Sequence, residues 1–559
     1  MQADRAGAEP TSRRSSERRN DVKSRTTILV SLATTLALFA SSVPAVRAQD
    51  ADAVPMSLSE CLSGALENNL DLAIDKKNPE VAWNEVLFQK AAFDPNFAAG
   101  LDYSERKSEA QPAFVGGAAL YVAPKTSTGA LFADFSGTLN FGATYQARLT
   151  SSKTDYTPAF TNGYTPGYDS TLIFDFKLPL LRRFGKEVNE YALLVAKTNV
   201  TISHEELRAK VTDTMRTVED AYWDLLATRK AQEVAQQALR LAQDLYELNK
   251  KKVEVGTLAP IEITQAEANV AANVEGVITS KAAVKNAEDN LRRLLAIPAS
   301  DPLWSRSILP TEEPASTPST PSLDDAIATA LKSRPEILQS QMQVENAQLG
   351  ERVAKKNAWH GLDLAARLVP AGNNLESIQN VQSAGPDGIL NTDDDLISQN
   401  FITGGLGTAV AEIPKFRNYD WSVGLTYSVP IWNRAAKASY ANATIAREKA
   451  ELSEQNTEQL VRVDVRRAVR AVESGYERVA AARKNVELQQ KKLDAEQKKF
   501  DNGMSTSFEV FTFQTDLRNA QLSLIRALLD YNKALADLER AKGTLLESKG
   551  LKLADNTGR

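Results

Sequence analysis

The sequence predicts a mainly α-helical protein with a smaller β part, internally duplicated, in which strands lead into long coiled-coil helices. Three observations predict this fold class. One order of segments occurs twice along the chain, each half contains a long helical segment with a seven-residue apolar repeat, and each half contains segments in which apolar and polar residues alternate. Of the 559 residues, 43% are hydrophobic and 25% are charged, which excludes a largely disordered chain.

The composition also excludes several classes of function. A single cysteine rules out a disulfide framework and a multi-cysteine zinc site, and two histidines leave little for histidine-based catalysis or metal binding. Residues 1–48 carry eight basic and four acidic residues, so the remainder has a net charge of −9, which disfavours a nucleic-acid partner. Because the sequence contains no phosphate-binding loop, nucleophile elbow or metal motif, we expect no catalytic residue, no cofactor and no enzyme.

The N-terminal segment 1–48 has the layout of a secretory signal peptide. A basic lead-in precedes an apolar run from Thr27 to Phe39, and Val46-Arg47-Ala48 supplies a small-residue cleavage site. A membrane anchor is the alternative, but 13 apolar residues are fewer than the roughly 20 that a spanning helix needs. An exported chain without a spanning helix either stays in solution or crosses a membrane as β-strands. Lipidation of Cys61 is not expected, because Glu60 replaces the small residue that normally precedes such a cysteine.

Two helical segments that begin alike mark the internal duplication. Ser57-Leu58 opens the first and Ser322-Leu323 opens the second, 265 residues later. A proline-rich stretch between the halves has the composition of a linker. The predicted order is a signal peptide (1–48), a first structural repeat (49–297), a proline-rich linker (298–321), a second structural repeat (322–547) and a polar C-terminal tail (548–559).

Each repeat is predicted to contain a β-hairpin after its short helices, at about 97–180 in the first and about 361–432 in the second. Apolar and polar residues alternate up to Pro179 and Pro430, with an aromatic-rich apolar face. A soluble β-sandwich face has the same pattern, but in an exported protein it also fits a barrel wall that is apolar towards lipid. The residues expected to face lipid are Phe174, Phe176, Trp421 and Tyr427.

Long helices follow each hairpin, at about 189–296 and about 435–546. In the second half, one apolar series recurs every seven residues from Val510 to Leu545, and the first half repeats it from Ile263 to Leu291, 247 residues earlier. A sustained seven-residue repeat predicts a coiled-coil seam, because an ordinary amphipathic helix drifts off such a seam within a few turns. Segments of 67 and 68 residues precede these series, and each could reach about 100 Å as a helix.

The chain from about residue 56 to 547 resembles the TolC-like outer-membrane factors. The resemblance is carried by the order and spacing of the duplicated segments and of four short motifs: Leu178-Pro179-Leu180-Leu181 with Phe184-Gly185, Val429-Pro430-Ile431-Trp432, Val255-Gly256-Thr257 and Asn502-Gly503-Met504. It implies a trimeric membrane β-barrel with four strands per protomer, continued by a long coiled-coil α-helical barrel. Four strands cannot close a barrel alone, so assembly is physically required. An additional apparent strand at Leu131 to Leu139 departs from this pattern.

The resemblance also implies a function. The chain would be the passive exit duct of a tripartite efflux or type I secretion system, in the outer membrane of a Gram-negative bacterium and extending into the periplasm. Its expected partners are two further copies of itself, outer-membrane lipid, a periplasmic adaptor (membrane fusion) protein that opens the tip, and an inner-membrane transporter. The alternative is an exported coiled-coil scaffold or adhesin that transports nothing.

Site residues follow from the same resemblance. The adaptor-docking tip would be Val255, Gly256 and Thr257 in one turn and Asn502, Gly503 and Met504 in the other, although glycine at a helix end is also explained by capping alone. The entrance constriction would involve Glu262, Glu509 and Thr512, although a glutamate in a first turn also suits the helix dipole. Asp387, Asp393 and Asp395 form a weak calcium candidate, for which a solvated loop is the simpler interpretation.

Overall fold

Four helices of 34 to 68 residues are the longest elements of the chain. The computed structural model describes residues 53–109, 111–115, 118–122, 125–157, 164–383, 386, 396–402 and 404–551. The α-helices are α1 (Leu58–Asn68), α2 (Leu70–Asp75), α3 (Asn78–Lys90), α4 (Lys186–Asn189), α5 (Tyr191–Glu254), α6 (Ile261–Leu294), α7 (Leu323–Ser333), α8 (Pro335–Asn357), α9 (Leu406–Glu412), α10 (Arg434–Asp501), α11 (Ser507–Lys542) and α12 (Leu545–Ser548).

Eleven strands are present in the same part of the chain, together with three short 3₁₀ turns. The strands are β1 (Val54–Met56), β2 (Asn96–Lys107), β3 (Gln111–Val115), β4 (Ala118–Val122), β5 (Lys125–Thr138), β6 (Thr144–Thr157), β7 (Tyr164–Pro179), β8 (Ile308–Pro310), β9 (Gly361–Ser383), β10 (Leu396–Ile402) and β11 (Asn418–Ser428). The predicted fold class, mainly helical with a β part, is confirmed.

The long helices form two antiparallel hairpins, α5 with α6 and α10 with α11, and α5 also packs against α11. Every position of the predicted heptad seam in α6 and α11 is buried or half-buried within the protomer. As its seven-residue period predicts, the apolar series holds one face of each helix against the neighbouring helix along the whole seam. At 1.5 Å per residue, the 68 residues of α10 span about 100 Å.

The duplication extends to the short helices at the start of each repeat. Helices α1 and α7 both have 11 residues, and the side chains of Ser57 and Ser322 cap them by accepting a hydrogen bond from a backbone N–H three residues later. Cys61, Leu62 and Ala65 of α1 are buried against α5 and α6. The residues 265 positions later, Ala326, Ile327 and Ala330, are buried against α10 and α11. Each repeat thus builds its own core from equivalent positions.

The proline-rich segment 298–321 is more ordered than a linker. Its strand β8 pairs in parallel with β1, and Ile308 is fully buried in the core of the first repeat. The hydroxyl of Tyr222, on α5, donates to Met56 O and accepts hydrogen bonds from the backbone N–H groups of Thr311 and Glu312. The segment predicted as a linker therefore also contributes a strand and a buried side chain to the first repeat.

The main sheet has more strands than the four that the resemblance implies. Its order is β2-β5-β6-β7-β9-β11, all neighbours antiparallel, and β10 pairs with the last seven residues of β9 beyond the stretch paired with β11. The first repeat supplies four of these strands where one hairpin was predicted. The additional hairpin, β5 with β6, turns tightly at Leu139 to Ala143, where Gly142 has a φ of +100°. The apparent strand at Leu131 to Leu139 corresponds to part of β5.

Among the described residues, no helix combines the length and the apolar composition needed to cross a bilayer. The predicted signal peptide, the three carboxylates of the calcium candidate and the last eight residues of the tail lie outside the described residues.

The contacts of Tyr222 lead to a stability prediction. Replacing Tyr222 by Phe removes all three hydrogen bonds of its buried hydroxyl and leaves the N–H of Glu312 without this partner, although Thr311 N–H still donates to Met56 O. We therefore expect a loss of about 1–3 kcal/mol in the free energy of unfolding. Tyr531→Phe is the matched control, since Tyr531 is equally buried but makes one hydrogen bond, from its hydroxyl to Thr317 O. Urea unfolding followed by tryptophan fluorescence measures both; a loss for Tyr531→Phe larger than for Tyr222→Phe contradicts the assignment.

Candidate functional site

The strand register places the four predicted lipid-facing residues on one face of the main sheet. Directly opposed residues of antiparallel strands share a face, and Phe174 is opposed by Leu368, which is itself opposed by Trp421. Phe176 and Tyr427 lie on the same face, two residues after Phe174 and six residues after Trp421 along their strands. One row crosses all six strands, and we call it the apolar row: Trp421, Leu368, Phe174, Ala147, Phe135 and Phe97.

The opposite face carries a polar row, displaced by one residue along each strand. Its members are Ser422, Arg367, Asp175, Gln146, Ser136 and Asn96. The row is held together by its own contacts: Arg367 Nε lies 3.8 Å from Asp175 Oδ1, and Gln146 Nε2 donates to Asp134 Oδ1 at 2.6 Å. Lys177 and Asp363 form a further pair on this face at 3.1 Å.

A sheet with one apolar and one polar face suits a boundary between hydrocarbon and water. All six strands that lie side by side have at least 11 residues, and a membrane strand needs about 9–11. In the protomer, Phe135 and Phe174 of the apolar row are 45% and 42% exposed. Exposed apolar side chains in such a row fit the lipid side of a membrane barrel.

Exposed aromatic side chains lie where the sheet meets the helices, and this grouping was not predicted from the sequence. Trp359 precedes β9, Trp432 follows β11 and Phe184 follows β7, and these side chains are 54%, 70% and 45% exposed. Tyr427 lies nearby, and its hydroxyl is 2.6 Å from Nδ1 of His360. Aromatic girdles of this kind mark the edge of the apolar band in membrane barrels. The available signal was the position of each aromatic residue at a strand end.

The two helical hairpins reverse through the same turn. Gly256 and Gly503 have φ values of +80° and +76°, and in each turn the glycine N–H and the N–H that follows it bond back to carbonyls of the last helical turn. This is the Schellman motif, which requires a left-handed residue after the helix. A Cβ at either glycine would meet nothing within 4 Å, so the glycine is required by backbone conformation and not by space.

Apolar side chains are exposed around both turns. Val255 and Met504, which were predicted, are 76% and 72% exposed. Ile261 and Phe508, which were not predicted, are 58% and 66% exposed and occupy equivalent positions 247 residues apart. We call these four residues the tip patch. Ile261 and Phe508 could have been predicted from the sequence, because the 247-residue offset between the two heptad series also relates the starts of α6 and α11.

The remaining predicted tip residues play local roles in the protomer. The hydroxyl of Thr257 donates to Lys252 O, the side-chain amide of Asn502 donates to Lys498 O, and both bonds satisfy carbonyls at helix ends. Thr512 donates its hydroxyl to Phe508 O one turn earlier in α11.

The two glutamates of the predicted constriction differ in their surroundings. Glu262 is half-buried and accepts a hydrogen bond from the hydroxyl of Ser507, across the two hairpins. Glu509 is exposed, and the Ser505 hydroxyl lies 2.7 Å from it and 2.6 Å from Glu496. The hydrogen bond from Ser505, helped by Lys499, lowers the pKa of Glu496. The protomer therefore does not bring Glu262 and Glu509 together as an equivalent pair.

Lys252 and Phe500 connect the two hairpins beside their turns. The Lys252 ammonium donates to Phe500 O at 2.8 Å and lies 3.8 Å from the centre of the Phe500 ring, which is almost fully buried. A cation is stabilised by the negative end of a helix dipole at the helix C-terminus, and it is also attracted to the face of an aromatic ring. Leu245, Leu493 and Val510 form the apolar core next to this contact. The turns of the two repeats are therefore fixed to each other in the protomer.

The described residues contain no cluster of three or more metal-ligating side chains. Cys61 is fully buried in α1, where burial raises the pKa of its thiol to about 12.

Comparison with known proteins gives the class of the molecule. The model of the outer membrane efflux protein family matches residues 61–296 and 405–544. The outer-membrane channel OprN is 15% identical, with 87% of this chain and 90% of that chain covered and a TM-score of 0.59. CmeC of Campylobacter jejuni is 15% identical (90% and 90%, TM-score 0.57), and VceC of Vibrio cholerae is 14% identical (87% and 96%, TM-score 0.57). No curated protein sequence matches significantly.

The family match identifies the class as an outer membrane efflux protein and not an enzyme. The family match covers more than half of the chain, and the protein belongs to the outer membrane efflux protein family. The sequence-based assignment to TolC-like outer-membrane factors is confirmed.

The turn geometry predicts that two glycine-to-alanine substitutions change the free energy of unfolding in opposite directions. Gly503→Ala forces a side chain into the left-handed region and should cost about 1–2 kcal/mol in the free energy of unfolding. Gly276→Ala, within α6, meets nothing within 4 Å and has no positive φ, so it should stabilise by about 0.5–1 kcal/mol. Urea unfolding and the rate of proteolysis at the turn measure both. Equal effects of the two substitutions would contradict the capping role.

Proposed function

We propose that this protein is the passive exit duct of a tripartite efflux or type I secretion system. Three copies assemble in the outer membrane of a Gram-negative bacterium, and the helices extend into the periplasm. The observation that carries the proposal is the continuity of the apolar row and of the polar row across six strands, since a wall with two such faces separates lipid from a water-filled lumen. Membership of the efflux protein family supports the same function.

The tip is the proposed place of opening and of adaptor docking. The tip patch presents four exposed apolar side chains at the ends of both hairpins, and exposed apolar surface of this kind is typical of protein–protein contacts. The contact of Lys252 with Phe500 and the hydrogen bond from Ser507 to Glu262 hold the turns together. Opening by an adaptor protein would have to break or rearrange these contacts, and an inner-membrane transporter would supply the work. Glu509 and Thr512 remain proposed residues of the entrance.

Substitutions of neighbouring residues on β6 test the two-faced wall. Ala147→Arg places a charge on the apolar row and should cost about 2–4 kcal/mol near the middle of the bilayer, whereas Gln146→Arg places it on the polar row beside Asp134 and Asp175 and should assemble normally. The measurements are the mass of the detergent-solubilised protein and its conductance in planar bilayers in KCl.

We expect a trimer with pore activity for the wild type and Gln146→Arg, and loss of assembled pores for Ala147→Arg. A wild-type monomer without conductance, or release of the protein from membranes by urea alone, would instead favour the exported scaffold. Equal behaviour of the two variants would show that the rows do not face lipid and water.

Photo-crosslinking tests the tip patch. With p-benzoylphenylalanine at Met504 or Phe508, we expect crosslinks in the native host to a periplasmic adaptor identified by mass spectrometry, because these side chains are exposed at the hairpin ends. Leu452 on α10 is the matched control, since it is 64% exposed but lies about 50 residues from the turn. The same adaptor crosslinked equally from Leu452, or no adaptor at either tip position, would place docking elsewhere.

A further inference from the structure

The main sheet ends in two long strands that each have a single partner. Among the described residues, β2 pairs with β5 only and β11 pairs with β9 only, so each has one edge of unpaired backbone groups. In hydrocarbon each unpaired N–H or C=O group costs several kcal/mol, which excludes an open sheet edge facing lipid. Both edges therefore need a partner within the bilayer.

We propose that the free edge of β11 pairs with the free edge of β2 from the next copy, which closes a barrel with six strands per copy. This inference rests on the proposed trimeric duct and deepens it. Three copies then give eighteen strands, against the twelve that four strands per copy would give.

The direction of the strands supports this pairing. Five antiparallel steps separate β2 from β11, so the two strands run in opposite directions within one copy. When copies are related by rotation about a common axis, β11 of one copy meets β2 of the next in antiparallel orientation, as in the rest of the sheet. Their lengths also match, with 12 residues in β2 and 11 in β11.

The chemistry of the two faces also continues across the proposed joint. The apolar row ends at Phe97 on one edge and at Trp421 on the other, and these side chains are 69% and 63% exposed in the protomer. The polar row ends at Asn96 and Ser422 on the same two strands. A joint between β2 and β11 therefore joins apolar face to apolar face and polar face to polar face, provided that the register keeps the alternation.

An eighteen-stranded wall would be wide. Barrel diameter grows roughly linearly with strand number, so eighteen strands give about one and a half times the diameter of twelve, in the range where barrels enclose an aqueous channel. All six strands, two more than the four-strand pattern contains, would then be part of the wall.

Paired cysteines in the full-length protein test the joint. One cysteine is placed on β2 at Phe97, Leu101 or Tyr103 and one on β11 at Trp421, Val423 or Leu425, all on the face of the apolar row. Nine combinations are needed, because shifts of register by two residues keep the face. Single-cysteine variants control for Cys61, which is fully buried and whose thiol pKa is raised to about 12. Membranes are oxidised, and the denatured protein is separated without reducing agent.

We expect dimers and trimers linked by disulfides for one or two of the nine pairs. The rival arrangement leaves the hairpin of β2 and β5 outside the wall, so that β11 meets β6; Ala147→Cys combined with Trp421→Cys reports it and should give no link. Links from β6, or a β2–β11 link within one monomer, would overturn the inference. If a conducting trimer is still isolated with links from β6, the proposed duct stands without the joint; if neither trimer nor conductance is found, the duct itself fails.

Discussion

The requirement that every backbone N–H and C=O group be paired inside a bilayer governs this molecule more than any single side chain. The sheet satisfies it across five strand-to-strand joints within one protomer and leaves it unmet at the outer edges of β2 and β11. Side-chain chemistry is arranged around that backbone requirement. Because opposed residues in antiparallel strands share a face, a regular register is enough to separate Phe174 and Trp421 from Asp175 and Ser422 over the whole width of the sheet.

The helical part is instead built by using the same packing arrangement in both repeats. The two repeats share the serine cap of their first helix, the heptad seam and the glycine turn, whereas the contacts between the hairpins are not repeated. Lys252 caps the end of α10 and covers Phe500, and Ser507 binds Glu262, so the symmetry of the sequence is broken by contacts between the hairpins. Segment 298–321 joins the repeats through hydrogen bonds to Tyr222, Tyr531 and Asn532, all on the long helices.

Features with a local or periodic cause could be predicted from the sequence. The N-caps Ser57 and Ser322, the turn glycines Gly256 and Gly503 and the heptad seam need only short-range rules, and they are found where the sequence places them. Features that depend on a distant partner could not be predicted. The parallel pairing of β8 with β1 and the hydrogen bond from Ser507 to Glu262 both join residues about 250 positions apart, which no local pattern encodes. The number of strands was wrongly predicted for another reason. The expected four strands came from the family resemblance, although the residues from Leu131 to Leu139 already showed an additional apparent strand.

The unequal division of strands between the repeats, four from the first and two from the second, has a consequence for how such walls can change size. A meander that begins and ends on the helical side can gain or lose strands only as whole hairpins, because a single added strand would bring the chain out on the wrong side of the membrane. The circumference of the proposed wall would therefore change in steps of one hairpin per copy. The hairpin of β5 and β6, closed by the left-handed Gly142, has the form of one such increment.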